Sequence, residues 1–203
     1  MPNCSHGRIT RMRPAAFVFA VAALAQWLVP LVGVWQHERI IARGVAVRFE
    51  CAAPNPYDPF RGRFLAVRPA ETMVLAPEGI AQSGDGANRI MVPVWATLVA
   101  DEHGLSRIQS LSLEPVSGPT VIRLGARLSV ETDGAKMVLI SWPFDRFYLN
   151  ERLAPDADRL VAERLGGSKP PVAEIRLLNG QAVLTDILLD GVSIRETVKQ
   201  QAK

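Results

Sequence analysis

The run AAFVFAVAALAQWLVPLVGVW, Ala15 to Trp35, holds 21 residues without a charge. At about 1.5 Å of rise per helical residue it is long enough to cross a hydrocarbon core of about 30 Å. The sequence therefore predicts a transmembrane helix over 15–35. No later apolar run approaches this length, so residues 36–194 are expected to form one water-facing domain. Gln26 and Pro30 interrupt the run; a single span tolerates one uncharged amide and one proline, and Trp35 suits an interfacial position.

Arg8, Arg11 and Arg13 precede the span with no acid among them, whereas Glu38, Arg39 and Arg43 follow it with mixed sign. Positive flanks stay cytoplasmic. Residues 1–14 are thus expected inside and the body outside, which in a bacterium means the periplasm or the outer face of the inner membrane. A cleaved secretory signal is the competing reading, because Ala23-Leu24-Ala25 has the small-x-small form of a cleavage site. The apolar run continues through Trp27, Leu28, Val29, Leu31 and Val32 to Trp35, beyond the usual h-region of about 7–15 residues. That continuation favours a retained anchor.

The chain has 23 Lys plus Arg against 20 acids, and the three bases ahead of the span account for the whole excess. The external body is formally neutral. No cluster of bases interleaved with aromatics occurs, so nucleic acid is not an expected partner. Cys4 and Cys51 lie on opposite sides of the span and cannot bridge within one anchored chain. Cys51 falls in the alternation of a predicted strand and is expected to be a buried, inert thiol.

After Gly44 the period changes to two: Val45, Val47 and Phe49 alternate with Ala46, Arg48 and Glu50. Pro54, Pro56 and Pro59 then turn the chain, and Phe60 to Pro69 reads as a second strand. Pro77 to Asn88 is rich in Gly and reads as a surface loop. Ile90 to Val99 is a strand whose Pro93 implies an edge or a bulge; Asp101 to Gly104 turns it into Leu105 to Leu113. Val121 to Leu124 and Ala126 to Val130 read as short strands, and Met137 to Trp142 pairs back after the turn at Thr132-Asp133-Gly134. Pro155 opens one short helix, with Ala157, Leu160, Val161 and Leu165 on one face and Gly166-Gly167 as its stop. Val172 to Leu178 and Ala182 to Leu189 flank Asn179-Gly180, a two-residue hairpin turn. The polar tail, 195–203, is expected to fray. The fold class is mostly β: an N-terminal transmembrane helix, then one antiparallel β domain with a single short helix.

The chemistry-bearing residues are sparse. His6, His37 and His103 fall in separate regions, which gives no metal cluster and no Ser-His-Asp arrangement, and no cofactor-binding motif occurs. One anchor followed by an external β domain is also the outline of a type I signal peptidase, which makes an envelope hydrolase the alternative function. That chemistry needs a Ser just after the anchor and a nearby Lys, yet the first Ser beyond the span is Ser83 and the first Lys is Lys136. No catalytic residue is assigned. Asp58, Arg61 and Arg63 beside Tyr57, and Asp145, Arg146 and Tyr148, could form ligand-binding corners, the basis of a small-ligand sensor. The plainer reading makes Asp58 a turn cap paired with Arg61.

Several motifs in order resemble one family. Glu38-Arg39-Ile40-Ile41, Gly44 and Val45 are followed by Asp58-Pro59-Phe60-Arg61-Gly62-Arg63-Phe64, by Phe144-Asp145-Arg146-Phe147-Tyr148-Leu149, by Pro155 to Leu160 and by Asp190-Gly191. Together they resemble the GDYXXLXY family of membrane-anchored proteins, from the anchor to about Ile194. In the name-giving motif Gly62 is kept, Arg63 stands for Asp, Phe64 for Tyr, Val67 for Leu and Pro69 for the final Tyr. Phe for Tyr keeps packing and removes a hydrogen bond, which fits a structural use of that position. The resemblance implies a bacterial envelope protein without an established activity, acting as a binding or accessory module beside a polytopic inner-membrane protein.

Overall fold

The computed structural model describes residues 14–52, 64–77, 91–132, 135–150, 152–165, 167 and 169–201. The chain divides into two compact units, Met1–Arg39 and Ile40–Lys203. The described part of the first is helix α1 (Pro14–Arg43) as far as Arg39; the helix starts at the predicted span and runs past Trp35. Among the described residues it is the one helix long and apolar enough to cross a membrane, with a mean hydropathy of 2.2 and none of its apolar window covered by protein. The guanidinium of Arg39 lies 5.5 Å from the centre of the Trp35 ring, four residues back on the same helix face.

The second unit is built from twelve strands among the described residues: β1 (Val45–Ala52), β2 (Phe64–Ala66), β3 (Arg68–Pro69), β4 (Met73–Leu75), β5 (Val92–Ala100), β6 (Ser106–Ser112), β7 (Val121–Thr132), β8 (Ala135–Ser141), β9 (Arg146–Tyr148), β10 (Val172–Leu178), β11 (Gln181–Leu189) and β12 (Val192–Ser193). Helix α2 (Ala154–Leu165) precedes β10, and α3 (Ile194–Gln201) follows β12. They form a five-stranded sheet in the order β12-β11-β10-β1-β3, a second in the order β4-β8-β7-β5-β6, and the small pair β2-β9. Every pairing within these sheets is antiparallel.

Only Gly44 separates α1 from β1. A Cβ there would lie 2.5 Å from the carbonyl oxygen of Ile40 and 3.0 Å from the nitrogen of Leu177. Without one, the Gly44 N–H donates to that carbonyl at 2.8 Å and closes the helix.

The period-2 pattern of β1 puts Val47, Phe49 and Cys51 on one face, and the register sets Val47 opposite Ile175 and Phe49 opposite Ala173. This shared face has two covers. At one end Val47, Phe49, Ile175 and Leu177 pack on Val94, Ala96, Leu98, Ile122, Leu124, Ala126, Val138 and Ile140 of the second sheet. Trp142 meets Phe49 edge-on, with ring centres 4.7 Å apart. At the other end Cys51, Ala173, Ile187 and Leu189 pack under α2, α3 and the β2-β9 pair, through Leu160, Val161, Ile194, Val198, Leu65 and Phe147.

A bulge in β11 serves both covers. Glu174 pairs with Asp186 but Ile175 pairs with Leu184, which leaves Thr185 without a partner across the ladder. Its hydroxyl donates to the carbonyl of Glu174 at 3.0 Å. The extra residue switches the inward set from Ala182 and Leu184 to Ile187 and Leu189, so one strand feeds both clusters.

Several expectations change. The two short strands expected around Gly125 are one continuous strand, β7, because Gly125 sits between Pro93 and Ser141 and both neighbours keep their pairing through it. A Cβ at Gly125 would lie 2.5 Å from the Sδ of Met91. Strand β5 is interior to its sheet, not an edge; Pro93 is accommodated because β6 reaches only to Trp95 and leaves that side open. The tail expected to fray is the amphipathic helix α3, with Ile194 and Val198 buried four residues apart. The proline-rich turn at 53–59 and most of the loop from Pro77 to Asn88 lie outside the described residues.

The Asn179-Gly180 hairpin forms as the dipeptide dictates, with φ of +51° and +79°. Its tip reaches the other sheet: the Arg123 N–H donates to the carbonyl of Gly180 at 2.9 Å, and a Cβ on Gly180 would lie 2.6 Å from the Trp95 ring. Gly180→Ala is therefore expected to cost at least about 1–2 kcal/mol from the left-handed backbone alone, and more from Trp95. Denaturant unfolding of the full chain in detergent measures this, and unchanged stability would refute the docking of the turn.

The Cys51 thiol is pushed up from 9.0 to about 12 by burial. The folded state holds its proton where the unfolded state loses it, so stability contributed by this group is present below pH 9 and lost as pH rises toward about 12. In a Cys4→Ser background, maleimide at pH 8 should leave Cys51 unlabelled until denaturant is added; ready labelling of the native protein contradicts the burial.

Candidate functional site

Of the residues singled out from the sequence, Asp58, Arg61, Gly62 and Arg63 lie outside the described residues. The others converge on one place. Phe64 opens β2 and pairs with Tyr148 of β9, Leu65 pairs with Phe147, and Ala66 pairs with Arg146. Residues eighty or more positions apart in the chain, drawn from the two motif stretches, are thus neighbours in one two-stranded sheet.

Short polar contacts hold this pair. The Val67 N–H donates to the carbonyl of Asp145 at 2.9 Å, while the exposed Asp145 carboxylate lies 3.5 Å from the Nε of Arg146. The Arg195 guanidinium of α3 sits 4.7 Å from the centre of the Phe147 ring, which fastens β9 to the last helix. Tyr148 is 67% exposed. Val67 and Pro69, standing at the leucine and final tyrosine of the motif, are both buried, and Pro69 pairs with Cys51. These motif positions fill the core, and exposed Asp145 and Tyr148 present polar groups beside them.

A shallow cleft of about 240 Å³ lies between β1-β3 and the start of β6, lined by Phe49, Glu50, Pro69, Glu71, Leu105 and Arg107. Of its two acids, Glu71 is committed elsewhere: one Glu71 carboxylate oxygen accepts the Ile108 N–H at 2.8 Å, and the Glu71 carbonyl accepts the Trp142 indole N–H at 3.1 Å. Glu71 thereby ties β6 and Trp142 to the segment that leads into β4. Nothing in the spacing around Glu71 marks it in the sequence, because its partner is a backbone group 37 residues away.

The turn after β5 is organised by Asp101, whose carboxylate accepts the N–H groups of His103 and Leu105 at 2.9 Å each. The bond from Leu105 leads the causes that hold this carboxyl below its usual range. Asp190 is likewise lowered, first by its hydrogen bond from Arg164, with Lys169 alongside. Both acids are turn and loop fasteners. Ser141 lies exposed on β8 opposite Gly125, while Ser83 and Ser168 lie outside the described residues. Among the described residues no three His, Cys, Asp or Glu side chains are grouped to hold a metal ion.

The outer face of the β4-β8-β7-β5-β6 sheet is the feature that sequence reasoning missed. Leu75 is 63% exposed, Met91 55% and Met73 46%. The ladder sets Met73 beside Leu139, Leu75 beside Met137 and Leu139 beside Arg127, and Met91 lies over Gly125. Arg123 and Arg127 are exposed on the same face, and its described outward positions hold no Asp or Glu. The outer face of the other sheet differs, since there Arg48 is answered by Glu174 at 2.9 Å. The available signal was the period-2 placing of the methionines, which reads equally well as core until the cover is known.

Neither a curated protein nor a solved structure matches the chain. A family profile, described as GDYXXLXY protein, matches residues 26–187, most of the chain. By that match, and with the motif strands paired as described, the protein belongs to the GDYXXLXY family.

Proposed function

We propose that the protein is a single-pass, non-enzymatic module whose body stands outside the cytoplasm and supports a polytopic protein of the bacterial inner membrane. Arg8, Arg11 and Arg13 ahead of an uncharged helix support the orientation, by the preference of positive flanks for the inside. The observation that carries the partner reading is the outer sheet face with Met73, Leu75, Met91, Arg123 and Arg127. Methionine and arginine are enriched, and acids depleted, where proteins meet, and thioether side chains adapt to irregular surfaces. Two arginines without neighbouring acids select a partner that brings carboxylates to an apolar patch.

Purification of the tagged full chain from membranes in mild detergent tests this. A membrane protein should accompany it in near-stoichiometric amount. Leu75→Asp or Arg127→Glu should weaken that association by at least about tenfold, the effect of about 1.4 kcal/mol, without lowering the yield of the chain itself. Recovery of the chain alone, or association indifferent to both substitutions, overturns the reading. A reporter fused after Lys203 that proves cytosolic overturns the orientation.

A further inference from the structure

From Ala22 to His37, beyond Phe19 on the same side, one face of α1 differs from the rest of the helix. Ala22, Gln26, Pro30, Gly33 and His37 follow at steps of four, four, three and four residues and so line one side. Leu24, Trp27, Leu28, Leu31, Val32 and Trp35 occupy the other sides. Gln26 is one residue past Ala25, the midpoint of the uncharged run, which is the driest depth available to it. Among the described residues its side chain makes no hydrogen bond.

Two groups are left unsatisfied at that depth. The amide of Gln26 carries two donors and a carbonyl acceptor. Pro30 has no N–H, so the backbone carbonyl of Gln26, four residues earlier, loses its helical donor. In hydrocarbon there is no water to replace either bond, and such groups are satisfied by neighbouring protein. Gly33, seven residues on, has nothing within 4 Å of where a Cβ would stand, so a second backbone can approach closely there.

We infer that α1 pairs in the membrane with α1 of a second copy of this chain, through Gln26, the carbonyl freed by Pro30 and the approach at Gly33. Two copies inserted with one topology run parallel and bring equivalent residues together at equal depth. A twofold contact must then complement itself. Gln26 does so, because it offers amide donors and, on its own backbone, the acceptor they lack; each copy's amide can donate to the other's freed carbonyl. A helix of a different protein would need its own polar group at this depth. The inference rests on α1 remaining in the membrane, and it is independent of what the sheet face binds.

Disulfide trapping of the full chain in its own membranes tests it. In a Cys4→Ser background, with Cys51 buried, single cysteines are placed on the face by Ala22→Cys and His37→Cys. Leu24→Cys and Leu31→Cys place them roughly 140–160° from Gln26, the centre of that face, at 100° per residue. Copper-phenanthroline oxidation should give a product of twice the chain mass from the first two, at least about fivefold above the second two. Gln26→Leu should cut it by about fivefold or more, and Gln26→Asn should largely retain it. Equal trapping at all four positions, indifference to Gln26→Leu, or trapping only to another protein each overturns self-pairing. A chain that begins at Gln26 by mass and washes out in carbonate overturns the anchor as well, and that outcome is distinct from a retained but unpaired helix.

Discussion

The antiparallel pairing of β1 with β10 sets Val47 against Ile175 and Phe49 against Ala173, and the rest of the body is packed onto the face this creates. Side chains in a strand alternate, so a single register decides which half of each strand is dry. Here the dry half needs two unlike covers, a second sheet at one end and two helices with a small strand pair at the other. Strands β1 and β10 serve both with one alternation, but with this sequence a regular β11 would turn Asp186 and Leu188 inward in place of Ile187 and Leu189. The unpaired Thr185 resolves the conflict, and Leu184 beside it touches both clusters.

Burial of Phe49 shows the scale involved. Its ring is 2% exposed, and removing such a side chain from water contributes about 1.5–3 kcal/mol. The ion pairs Arg48–Glu174 and Arg159–Asp156 are exposed and contribute at most about 1 kcal/mol each. Charge accordingly does little to hold the body together, and arginines such as Arg123 and Arg127 are available for other uses.

Much of this was readable from local pattern. The apolar run at 15–35, the alternation of β1, the Asn-Gly hairpin and the face of α2 each follow from residues within one turn or one strand, and each formed as the pattern implies. What escaped depends on distant partners. Gly125 looked like an interruption because its neighbours Pro93 and Ser141 come from elsewhere in the chain. The tail looked solvated because Ile194 and Val198 are only two apolar residues in a polar stretch, and their worth appears when α2 and β11 supply the other side. The candidate site was legible in part. Asp145, Arg146 and Tyr148 were identifiable as a group, but their pairing with the strand of Phe64 is a long-range fact. The exposed methionines could not be told from core residues by period alone.

The main partner of β1, β10, is synthesised late. Arg48 and Glu174, which face each other across the central pair, are 126 residues apart, so most of the first strand of the body, apart from its end at Cys51 and Ala52 beside β3, waits unpaired until almost the whole chain is available. Contacts of such separation form slowly because the intervening loop must first be closed against its entropy. A polypeptide that cannot finish its central sheet early stays loose enough to be threaded through a narrow channel. The topology is thereby compatible with the orientation proposed above, in which the body crosses a bilayer before it folds.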